Sequence, residues 1–184
     1  SNWLSLGAAA GITKRFPYCV NGIIKGTKEG VAESKSFVQT DVDGRSYVLS
    51  LDPIKGLNYK VVKHLLSNPS VAEELAPSDK VSIQIKGRNV GYGNFAVYPK
   101  EVDTLLGIAD GKDATYEVTI YLTNDENIIG GYVGDWKVSK DALKDAKEVV
   151  FHVVEQGPAS DDDRFLFVSS LSSYSKNVPA PELR

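Results

Sequence analysis

Apolar and polar residues alternate with a period of two over much of this chain. In KVSIQIKG, Val81, Ile83 and Ile85 fall on one face and Lys80, Ser82, Gln84 and Lys86 on the other, which is the pattern of a half-buried strand. TYEVTIYLT repeats it, with Tyr116, Val118, Ile120 and Leu122 together. YCVNGIIKG (18–26), NFAVYP, GYVGDWKVS, EVVFHVVEQ and RFLFVSSLSS read as further strands bounded by turn residues. FVQTDVDGRSYVLSLDP holds two runs joined at Asp43-Gly44, a dipeptide that supplies the positive φ angles of a tight hairpin. Val38, Thr40 and Val42 share a face on its first arm; Tyr47, Leu49 and Leu51 alternate on its second.

The period changes after Pro53. Leu57, Val61, Val62, Leu65 and Leu66 recur at helical spacing, and a second short helix is predicted with Asn68 as N-cap, Pro69 at its first position, Glu73 and Glu74 early and Pro77 as its stop. PKEVDTLLGIADG predicts one or two helical turns, DALKDAK a short helix after Ser139, GPASDDD a surface turn, and KNVPAPELR a tail too rich in proline to be a strand. The count is about nine strands, with helices only in two crossings and no βαβ rhythm or repeat, which predicts a mainly β fold: an antiparallel, jelly-roll-like β-sandwich. The expected organisation is an N-terminal arm (1–17), one sandwich domain (18–174) and a C-terminal tail (175–184).

Composition narrows the classes. With 184 residues, 42% hydrophobic and 24% charged, the chain has the make-up of one ordinary folded domain. A formal net charge of −3 argues against a dedicated nucleic-acid binder. Cys19 is the sole cysteine, so no internal disulfide is available. SNWLSLGAAAGI lacks the basic leader and long apolar core of a signal peptide and reads as an arm, and no run approaches the roughly 20 apolar residues of a membrane span.

The motifs give little chemistry. GRNVGYGNF (87–95) has neither the lysine of a P-loop nor a following helix, and its glycines suit a bend between strands, with Arg88 and Tyr92 at the sandwich end. Asp41, Asp43 and Gly44 fit part of a calcium loop, but the register places Gln39 and Ser50 where acids are needed. Asp161, Asp162 and Asp163 form an acidic run that could take calcium between subunits, or simply be solvated. His64 and His152 are far apart in sequence with no metal-ligand spacing around either, and His152 reads as a packed residue of the core or an interface. No cofactor is implied and no nucleophile motif is present. Lys14, Arg15, Lys25 and Lys28, with Lys35, make the first part of the chain mildly basic and are the candidates to face nucleic acid inside an assembly.

The order of elements resembles that of the jelly-roll coat proteins of small icosahedral RNA viruses, and VYPKEVDTLL, YEVTIYLT and VVFHVVEQ are similar to stretches in the C-terminal half of bromovirus-type coats. The likeness spans about residues 80–170. It implies a non-enzymatic coat protein of a virion whose partners are copies of itself, with no membrane partner. Those coats carry an arginine-rich arm; here the arm has Trp3, Leu4 and Leu6, the expected anchor on a neighbouring subunit. Two other classes stay open: a phage-like tail tube or ring protein, and a cytoplasmic monomeric sandwich binding carbohydrate or another small ligand through Trp136, Tyr132 and Tyr92.

Overall fold

The computed structural model describes residues 4–6, 9–11, 20–39, 46–49, 51–100, 102–125 and 127–184, the first two segments as backbone only. The fold is mainly β. Its centre is one curled, mixed sheet of nine strands. The main path runs β6 (Asn68–Glu73), β5 (Ile54–Leu65), β12 (Glu148–Glu155), β11 (Asn127–Val138), β10 (Ala114–Asn124), β7 (Asp79–Gly87) and β8 (Gly93–Tyr98). Two short strands complete it: β9 (Leu106–Ala109) on β5 and β13 (Glu182–Leu183) on β12. Two small ribbons, β1 (Leu4–Leu6) with β2 (Ala9–Gly11) and β3 (Gly22–Gly26) with β4 (Ser34–Val38), stand apart from it in pairing.

The strands read from strict alternation form as expected. β7 and β10 pair antiparallel in register from Val81 opposite Leu122 to Ile85 opposite Val118, so the apolar faces of both strands coincide. These residues and Tyr116 are buried in a single core with Leu57, Tyr59, Val61, Trp136, Val149, Phe151 and Val153. Tyr116 is fully buried; its hydroxyl accepts from the Ala109 N–H at 2.9 Å, and burial pushes its pKa up to about 12.

The sheet curls because its ends are tied. The Tyr59 hydroxyl, on β5, donates to the Val97 carbonyl on β8 at 2.9 Å, although four strands lie between them along the sheet. Lys63, also on β5, reaches Asp79 at the start of β7 at 3.0 Å. A tight approach at β11 makes the bend possible: a Cβ on Gly130 would lie 2.3 Å from the Val154 carbonyl oxygen, and one on Gly131 would lie 2.1 Å from that of Ile120. Only glycine lets β10, β11 and β12 meet there.

Several expectations are corrected. Residues 57–66 are not helical but the long strand β5, which pairs parallel with β12 from Asn58 opposite Glu148 to Leu65 opposite Glu155. The arrangement is therefore mixed rather than purely antiparallel. Leu57, Tyr59 and Val61 also alternate, and burial against β12 outweighed the helical reading of the same residues. Asn68-Pro69 begins no helix; it opens the edge strand β6, where a proline without an N–H is tolerated.

RFLFVSSLSS is helical, in α2 (Asp161–Ser169) and α3 (Leu171–Tyr174), because Phe167, Leu171 and Tyr174 share the side that packs on the sheet and the Phe167 and Tyr174 rings stack at 4.8 Å. PKEVDTLLGIADG contains β9 in place of its helical turns, and the proline-rich tail still contributes β13. The helix after Ser139 is present as α1 (Lys140–Asp145), with the Ser139 hydroxyl accepting from the Ala142 N–H at 3.1 Å. The Asp43-Gly44 turn lies outside the described residues, but the hairpin expected around it is corrected: its second arm, at residues 46–49 and 51–52, is not a strand, and β4 pairs with β3 instead.

Candidate functional site

GRNVGYGNF is the connection of the β7–β8 hairpin. The Gly87 N–H donates to the Tyr92 carbonyl at 2.8 Å, and a Cβ on Gly87 would strike the Val90 carbonyl oxygen at 2.3 Å. Arg88 is held by carboxylates, Asp135 at 2.8 Å and Glu117 at 3.3 Å, rather than being offered to a phosphate. The aromatic residues assigned to a ligand face are mostly interior: Trp136 and Tyr132 are buried, and Tyr92 is half-buried over Gly107.

Asp161, Asp162 and Asp163 form the first turn of α2 rather than a loop. Ser160 is the N-cap: its hydroxyl accepts from the Asp163 N–H at 3.2 Å and donates to the Asp163 carboxylate at 2.6 Å. Arg164 holds Asp161 at 3.1 Å. Acids in this turn favour the positive end of the helix dipole, which accounts for them without a cation. Among the described residues no three His, Cys, Asp or Glu side chains converge to hold a metal ion, and no helix is long and apolar enough to cross a membrane.

Of the basic candidates, Lys14 and Arg15 lie outside the described residues, as does Trp3, while Leu4 and Leu6 sit in β1. Lys25 faces Lys35 across the β3–β4 ribbon, and both clamp Glu33, Lys35 at 2.9 Å. Lys28 is exposed.

Two buried polar clusters escaped the sequence reading because strand pairing alone assembles them. The parallel register sets His152 beside Val62 and His64 beside Val154, which brings the rings onto one face with His64 Nε2 2.9 Å from His152 Nδ1. The Pro69 carbonyl, 2.8 Å from His64 Nδ1, can only accept. With both rings neutral, His64 therefore carries its hydrogen on Nδ1, His152 donates from Nδ1, and His152 Nε2 is left bare, 3.9 Å from Glu182. Burial pushes the His152 pKa down; Glu182 opposes this, and His64 and Arg184 reinforce it.

An unfolded histidine titrates near pH 6.5, so below that value the unfolded chain binds a proton that the fold resists. Stability is expected to be full above about pH 6.5 and to fall as the pH drops through it, with His152→Phe flattening the dependence. Urea midpoints from about pH 8 to about pH 5 check this; a midpoint constant or rising toward acid would contradict it.

The second cluster joins Lys63 to Asp79 at 3.0 Å and Glu155 at 2.8 Å. Asp79 is 1% exposed. It also accepts from the Ala76 N–H and the Asn124 amide, both at 2.8 Å.

The surface holds the less expected feature. On β8 the larger apolar residues point outward: Phe95 is 64% exposed and Val97 44%, while Asn94, Ala96 and Tyr98 turn in. Across β7 and β10 the same face carries Gln84 and Thr119 in register with Phe95, and Ser82 and Tyr121 in register with Val97. These six residues form a patch with no charge. The β3–β4 ribbon exposes a directly opposed pair, Ile23 and Phe37, the latter at 78%. On α2, Phe165 and Leu166 are exposed as well. Period-two patterning could locate β8, but which of its faces meets water depends on where β7 and β10 lie.

Comparison of the chain with protein-family models, curated proteins and solved structures finds no match.

Proposed function

We propose that this is a non-enzymatic structural protein that assembles with copies of itself, as a viral coat protein of jelly-roll-like type resident in a virion. The observation that carries this reading is the set of large apolar side chains left in water on three separate surfaces: the ribbon, the outer face of β7, β8 and β10, and α2. Contiguous exposed apolar patches mark association surfaces, and several distinct ones on one chain suit an assembly that closes in more than one direction.

The edge of the main sheet points the same way. The Phe95 N–H is taken by its neighbour Asn94 at 2.8 Å and the Val97 carbonyl by Tyr59, which disfavours strand-to-strand addition at β8 and favours association through side chains on the face. Packing of nucleic acid inside such a particle falls to the basic N-terminal region, with Lys25, Lys28 and Lys35 exposed in its described part. A ring or tail-tube protein is the second reading, supported by the curled sheet with helices packed on it and an extended ribbon.

Light scattering of the purified native chain, with absorbance at nucleic-acid and protein wavelengths and a negative-stain image of the same fraction, tests this. Particles or rings of many subunits are expected. A monomer of 20.0 kDa at every salt and pH tried would end the proposal.

A further inference from the structure

The exposed faces of α2 and of the β3–β4 ribbon match each other in both apolar surface and charge. In a helix successive residues turn by about 100°, so Asp161, Asp162, Phe165 and Leu166 share one side of α2, with Asp162 between the two apolar residues, while the buried Phe167 points away. That side presents two large apolar groups and acidic charge; Arg164 offsets Asp161 only in part, since Asp161 remains almost fully exposed. On the ribbon, the alternation of the strands puts Ile23 and Lys25 of β3 on the same face as Lys35 and Phe37 of β4. It too presents two large apolar groups, with basic charge beside them: the two lysines outweigh the single Glu33 that they clamp. Both faces are exposed, so neither is satisfied within its own chain.

We propose that the α2 face of one copy docks on the β3–β4 face of the next, with Phe165 and Leu166 against Ile23 and Phe37 and the α2 carboxylates against Lys25 and Lys35. This rests on the self-assembly reading and gives it a direction. The two surfaces differ, so the contact is heterologous: each copy uses its helix toward one neighbour and its ribbon toward the other, and repetition closes a ring or continues as a lattice. A two-stranded ribbon is marginally stable by itself, and a neighbour's helix would cover the apolar pair that it leaves in water. Unlike charges around the apolar centre set the register and disfavour ribbon-on-ribbon or helix-on-helix pairing, where like charges would meet.

Mixing two variants tests this. Phe37→Asp spoils the ribbon face and keeps α2; Phe165→Asp spoils α2 and keeps the ribbon. Both sites are surface positions, and circular dichroism of each variant checks that the fold is retained. By sedimentation, each variant alone is expected to lose the contact, and an equimolar mixture is expected to recover one contact per pair, seen as a dimer mass beyond that of either variant alone. A second arm uses charge. Asp162→Lys weakens association, and combining it with Lys25→Glu restores part of the loss. If wild type assembles and the two Phe variants still assemble as it does, or if their mixture gains no mass, the proposed contact is wrong while self-assembly stands. If wild type is monomeric throughout, both fall together.

Discussion

Replacing Asp79 by alanine is expected to cost about 3–5 kcal/mol of stability, the loss typical of removing one partner from a buried ion pair. Its carboxylate is 1% exposed and takes bonds from Lys63, the Ala76 N–H and the Asn124 amide. Alanine leaves the half-buried Ala76 N–H without an acceptor, the Asn124 amide with the Ser78 hydroxyl alone and Lys63 with Glu155 alone. The same residue ties β5 to β7 and so holds one end of the curl.

The pH dependence follows from the sign of its shift. Burial would raise the Asp79 pKa, but the bonds from Asn124, Lys63 and Ala76 together hold it below the ordinary carboxylate value. A depressed carboxylate contributes stability above its unfolded pKa, and that contribution fades as the pH falls below about 4. Wild type should therefore lose stability in this acid window and Asp79→Ala should lose much less, separate from the histidine effect near neutrality. Urea unfolding of both proteins across that range decides the matter. A deficit under about 1 kcal/mol at neutral pH would mean that solvent satisfies the cluster as well as Asp79 does.

The second large effect concerns association. Phe95→Asp should weaken the proposed self-association by about 100-fold with the fold retained, because a large exposed aromatic on an association face is the type of residue whose loss costs about 2 kcal/mol or more. Phe95 makes little use of the core, being 64% exposed. The neighbours in register, Gln84 and Thr119, are uncharged, and the one cation diagonal to the site, Lys86, already faces Glu117. The readout is the concentration at which scattering mass falls by half, with thermal unfolding as the control. An unchanged midpoint of assembly would remove the β7, β8 and β10 face from the contacts and leave the ribbon and α2 as the surfaces to explain.

Several elements were legible because local pattern and final burial coincide. β7 and β10 carry their alternation in the residues themselves, β12 is an apolar run of strand length buried on both faces, and α1 carries its serine cap. The helix α2 was legible in principle: a serine and three acids precede Phe167, Leu171 and Tyr174 at helical spacing, but the β-forming run RFLFV drew the strand reading. β5 was ambiguous, since Leu57, Val61 and Leu65 satisfy a helical period while Leu57, Tyr59 and Val61 satisfy a strand.

By itself, then, the sequence determined that the chain is mainly β, that GRNVGYGNF is a bend with no phosphate-binding motif in it, and that β7 and β10 bury Val81, Ile83, Val118 and Ile120, because period and turn chemistry are local properties. Only the tertiary structure decided that β5 runs parallel to β12. That one pairing sets His64 against His152 across 88 positions and, with the curl of the sheet, gathers Lys63, Asp79 and Glu155 at one end. It also decided that Phe95, Phe37 and Phe165 face water. Contacts between residues distant in sequence leave no periodic trace, and the outward side of a strand or helix is defined only by what packs against its other side.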